Sequence, residues 1–106
     1  MQTILVISRH SPENCPLVSE SAKKMNLEVM GKMGELTKKH GVKMVGGWSV
    51  SSEHLMVTVY EVPTIEAFQK FRMEPECAKW IHAQDTSEVK IVQTFEESMK
   101  ALKEAK

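Results

Sequence analysis

The order in which two hydrophobic periodicities follow one another constrains this chain most. Residues 3–9 hold Ile4, Leu5, Val6 and Ile7 in a row, a strand with apolar side chains on both faces. After a turn, Val18, Ala22, Met25, Val29, Met33 and Leu36 recur 4, 3, 4, 4 and 3 residues apart, one face of an α-helix. Gly41 behind Lys38, Lys39 and His40 stops that helix, with cations where the dipole favours them.

The alternation continues. Residues 42–50 read as a second strand with Gly46 and Gly47 at a bulge or bend. Residues 54–62 alternate Leu55, Val57 and Val59 against His54, Met56, Thr58 and Tyr60, a third strand. Thr64 caps a short helix and Pro75 starts a further helical turn. Residues 88–95 form the fourth strand, and residues 96–106 close as a helix with Met99 and Leu102 inward. Strand, helix, strand, strand, helix, strand, helix is the order of an α+β, ferredoxin-like βαββαβ fold with a C-terminal helix. Its antiparallel sheet runs 4-1-3-2 with both main helices on one face, as the right-handed crossover requires. One domain over 1–106 is expected at this length. Gly31 and Gly34, opposite the core stripe near Leu27, mark either tolerated weakness or close approach of another element such as the C-terminal helix.

A chain with 14 basic and 14 acidic residues carries no net charge, which argues against a nucleic-acid or membrane-surface role built on charge. The start lacks the features of a secretory signal, and no segment approaches the roughly 20 apolar residues of a membrane span. The cytoplasm is the expected compartment, with Cys15 and Cys77 as free thiols. Helices cover one sheet face, yet the strands carry apolar residues on both. Pairing two sheets face to face, as a twofold homodimer, buries the remainder.

This pattern resembles the dimeric α/β barrel superfamily, which includes antibiotic-biosynthesis-monooxygenase-like proteins. "HSPENCP", "GWSVSSEH" and "FRMEPECAKW" are similar to a small, uncharacterised branch of it. The resemblance spans roughly residues 2–96 and implies the fold and the dimer. It implies no particular activity, because the fold hosts oxygenases, isomerases, haem enzymes and binding proteins. No oxygenase motif is matched residue by residue.

The topology gathers the chemistry-bearing residues at one end of the sheet. Strand 1 ends at His10, strand 3 begins at His54, and the first helix is expected to begin at Cys15 and Pro16. There the free N–H groups of a helix start favour a thiolate. Met73, Glu74, Cys77, Trp80 and His82 are expected on the same side. His10, Cys15 and His54 are candidate catalytic residues. Trp48 or Trp80 would roof their pocket, with Met73 and Glu74 as further ligand-binding candidates and Glu74 orienting a histidine. The two histidines read equally as caps of strand ends. Cys77 and the methionines read as packing.

One functional reading is a dimer that binds a small organic molecule, with proton transfer or oxygenation that needs no cofactor. The alternatives are a non-catalytic sensor or interaction module, or a metal-binding protein using His10, Cys15 and His54.

Overall fold

The computed structural model describes residues 2–105. Met1 and Lys106, the ends of the expected domain and final helix, lie outside the described residues. Four strands, β1 (Gln2–Arg9), β2 (Lys43–Val50), β3 (Leu55–Val62) and β4 (Thr86–Val92), form one antiparallel sheet in the order β2-β3-β1-β4. Four helices accompany them: α1 (Glu20–His40), α2 (Ile65–Arg72), α3 (Pro75–His82) and α4 (Phe95–Glu104). The expected ferredoxin-like α+β architecture is present.

Register assigns each strand face. Ile4 pairs with Tyr60, Val6 with Thr58 and Ser8 with Met56. Directly opposed residues point to the same side, so these six face the helices. Ile4, Val6, Tyr60 and Val62 join Leu36 and Val42, together with Phe68, Phe71 and Cys77 of the second helical segment, in one core. Tyr60, Phe68 and Phe71 form its aromatic centre, with ring centroids 5.3–6.0 Å apart. Leu5, Ile7, Leu55, Val57 and Val59 point the other way and are only half-buried.

A bulge between Met44 and Gly46 interrupts the β2–β3 register. It resets the parity of β2: Met44 faces the helices, and Trp48, paired with Val57, faces away from them. The Trp48 ring lies against Gly46, where a Cβ would come within 2.8 Å of the indole, so only glycine fits beneath it.

Three expectations are corrected. The first helix starts at Glu20, not at Pro16, because Ser19 accepts the N–H of Ala22 and is its N-cap. Gly31 and Gly34 meet no close neighbour among the described residues, which leaves tolerated weakness in place of close approach by another element. The final helix begins at Phe95, earlier than expected, and its apolar residues do not point inward: Phe95, Met99 and Leu102 are all exposed.

Candidate functional site

At the end of the sheet where β1 stops and β3 starts, backbone hydrogen bonds tie three segments together. The His10 N–H donates to the His54 carbonyl at 3.1 Å, and the Asp85 N–H donates to the Arg9 carbonyl at 2.8 Å. Between His10 and α1, Pro12–Asn14 form a single 3-10 turn, closed by the Cys15 N–H on the Pro12 carbonyl. The Cys15 carbonyl in turn accepts the N–H groups of Val18 and Ser19. Cys15 is thus held in a turn ahead of the helix and buried. It does not cap α1, so the helix-start argument for its thiolate does not apply.

His54 closes the short 3-10 turn Ser51–Glu53 in the left-handed conformation, with φ 51° and ψ 43°. It is the one non-glycine residue with positive φ among the described residues. That conformation costs an L-residue about 1–2 kcal/mol, although histidine tolerates it better than most. The turn brings the His54 ring edge to face with His10, centroids 5.3 Å apart and planes at 73°. One ligand-type atom from each of His10, Cys15 and His54 lies within 4.8 Å of the other two. Nε2 of His10 and Nδ1 of His54 are buried and have no hydrogen-bond partner among the described residues. Burial, and then the neighbouring His54, hold the His10 imidazole below its ordinary pKa, against the opposing pull of Asp85.

The other sequence candidates scatter. Glu74 binds His40 at 2.8 Å and Lys39 at 2.8 Å. These residues end α1, whose 21 residues carry them about 30 Å from its start near Cys15. Glu74 does engage a histidine, but it is the one at the opposite end of the molecule. Lys39, followed by His40, holds its carboxyl below the usual range. Met73 is exposed beside it. The reason is length: α2 has eight residues and covers only about 12 Å before the chain breaks at Met73–Glu74, and α3 completes the crossing. Cys77 is core, and burial pushes its thiol up to about 11, with Glu74 and Glu76 adding to the shift. Trp48 and Trp80 do not meet, because the sheet separates them.

Trp80 instead walls a cavity of about 80 Å³ between the helices and the sheet, with Met33, Met44, Met56, Tyr60 and Phe68. Burial raises the Tyr60 hydroxyl above its ordinary pKa. Thr58, Ser87 and Arg72 add polar groups, and Arg72 reaches Ser87 Oγ at 3.4 Å. Asn26, which the sequence reading missed, fixes the indole: its Oδ1 accepts the Trp80 Nε1–H at 2.9 Å while its Nδ2 donates to the Ala22 carbonyl at 2.7 Å. An asparagine inside a helix, next to Met25 of the apolar stripe, was the available signal. The cavity reaches Met56 and Ser87, the cross-strand partners of Ser8, two residues short of His10. His10, Cys15 and His54 do not line it.

No protein-family profile and no curated protein sequence matches the chain. Solved structures do. An antibiotic biosynthesis monooxygenase superposes with a TM-score of 0.61 at 12% identity, over 89% of this chain and 98% of that one. The chain has the fold of that protein. A NIPSNAP family protein of unknown function from Agrobacterium tumefaciens gives 0.57 at 16% identity, over 89% and 87% of the two chains. The At3g17210 protein from Arabidopsis thaliana gives 0.50 at 10% identity, over 89% and 95%. At these identities the likeness concerns the ferredoxin-like fold. No helix among the described residues is long and apolar enough to cross a membrane.

Proposed function

We propose that the protein is a homodimer of the α/β-barrel type that binds a small organic molecule between its sheet and its helices. The observation that carries this reading is the cavity beside Trp80. Its walls are apolar, and a few polar groups, Thr58, Arg72 and Ser87, converge on it. That is the composition of a ligand site rather than of a packing defect. Its volume of about 80 Å³ suits a single ring or a short chain rather than a nucleotide, since one water needs only about 10–15 Å³. The dimer is supported by the open sheet face, where Leu5, Ile7, Trp48, Val57 and Val59 share one side.

A Trp48→Phe variant leaves Trp80 as the only indole, a reporter inside the cavity wall. Small aromatic and aliphatic acids, alcohols and ketones titrated into it should include compounds that change its emission and raise the melting temperature by mass action. Met33→Phe, which fills the cavity, should abolish both responses while the protein stays folded. Equal responses in Met33→Phe, or none from any compound, would reject the cavity as a ligand site.

A further inference from the structure

We propose that His10, Cys15 and His54 form a metal centre for a thiophilic d10 ion, zinc(II) or copper(I). It is separate from the cavity and independent of whether that cavity binds anything.

The donor set selects the ion. Two imidazoles and one thiolate suit borderline and soft metals, while magnesium and calcium demand oxygen ligands that the cluster lacks. The geometry is close to what such an ion needs. In a tetrahedral site with metal–nitrogen bonds near 2.05 Å and a metal–sulfur bond near 2.3 Å, donors stand about 3.4–3.6 Å apart. Here they lie within 4.8 Å of one another. Closing the difference takes about 1 Å of side-chain movement toward a common centre.

Two features of the cluster point to a ligand. Each imidazole keeps a buried nitrogen with no hydrogen-bond partner. An unsatisfied buried polar atom costs about 1–3 kcal/mol, and a metal ion removes that cost by accepting the lone pair. His54 also holds a left-handed backbone that glycine would occupy without strain. Histidine there keeps a side chain facing His10, consistent with strain retained at a functional position.

The rest of the end serves the same centre. Cys15 is buried and ready to bind once deprotonated: the S–H bond breaks, a metal–sulfur bond forms, and the proton passes to solvent. The Asp85 carboxylate lies near enough to act on His10 electrostatically, a negative charge placed to offset a cation. Three protein donors leave the fourth position to water or an exogenous ligand, as in catalytic rather than structural zinc sites.

The test uses the full chain purified without a histidine tag. Cobalt(II) reports zinc-type binding through a thiolate charge-transfer band in the near ultraviolet, and zinc(II) displacement and copper(I) competition then rank the ions. Wild type should bind one ion per chain and show that band. Cys15→Ser should lose the band, and His10→Gln and His54→Asn should each weaken zinc binding at least 100-fold. Asparagine also tolerates the left-handed backbone at position 54, and circular dichroism shows whether each variant is folded. His82→Gln, outside the cluster, should match wild type. Bound zinc should protect Cys15 from alkylation in wild type. Three results would overturn the proposal: no ion bound at micromolar concentration, binding without a thiolate band, or Cys15→Ser binding as wild type does. None of these bears on ligand binding beside Trp80.

Discussion

His10 and His54 lie edge to face at 5.3 Å, and the backbone N–H of the first donates to the carbonyl of the second. They are 44 positions apart in the chain (54 − 10) and meet because β1 and β3 are antiparallel neighbours whose ladder ends at Arg9–Leu55. The hydrogen bond extends that ladder by one residue and sets both rings beside Cys15.

The backbone at position 54 gives a comparison that does not depend on metal. His54→Ala and His54→Gly both remove the ring, but only glycine relieves the positive φ. His54→Gly should be more stable than His54→Ala by about 1 kcal/mol, measured by urea denaturation in the presence of a chelator. Equal stabilities would show that the left-handed conformation is not maintained.

The two sheet faces should respond differently to charge. Val6→Asp places a carboxylate in the core and should cost at least about 3 kcal/mol, so the chain unfolds or nearly does. Val57→Glu, on the uncovered face, should leave the monomer folded and shift sedimentation from dimer to monomer at micromolar concentration. Ile91→Glu should change neither, because Ile91 pairs with Ile4, so it sits on the helix side, at an exposed edge. A wild-type monomer would remove the dimer from the proposed function.

The C-terminal helix should be dispensable for the fold. It buries no residue, and helices of ten residues are marginal alone. Stopping the chain after Gln93 should lower stability by no more than about 1 kcal/mol, read from urea unfolding. Loss of folding would mean that Phe95, Met99 and Leu102 make contacts absent from the isolated chain.

Acid should act through Glu74. Lys39 and His40 lower its carboxyl pKa in the folded state, so the folded chain holds fewer protons there than the unfolded one. The stabilisation is complete above the ordinary carboxylate range and disappears as pH falls through the folded value. Glu74→Gln should therefore be less stable than wild type near neutrality and lose less on acidification below about pH 4.5, followed by melting temperature against pH. Parallel curves would show that the ion pair contributes nothing to stability.

Sequence alone determined the order of elements, the caps Thr64 and Gly41, the helical stripe of α1 and, through them, the ferredoxin-like sheet. It also indicated that His10, Cys15 and His54 share one end, because strand ends and turns follow from topology before any side chain is placed. Tertiary structure decided the rest. The bulge after Met44 turned Trp48 to the face away from Trp80, since a shift of one residue reverses every side chain beyond it. The break at Met73–Glu74 left Glu74 beside His40, because an eight-residue helix is too short to cross the sheet. Ser19 rather than Cys15 became the cap of α1, because the residues between them turn back onto the Cys15 carbonyl, which accepts the N–H groups of Val18 and Ser19. Periodicity reports which residues share an element. Local irregularities of one or two residues decide which of them meet across elements, and they leave almost no mark on the hydrophobic pattern.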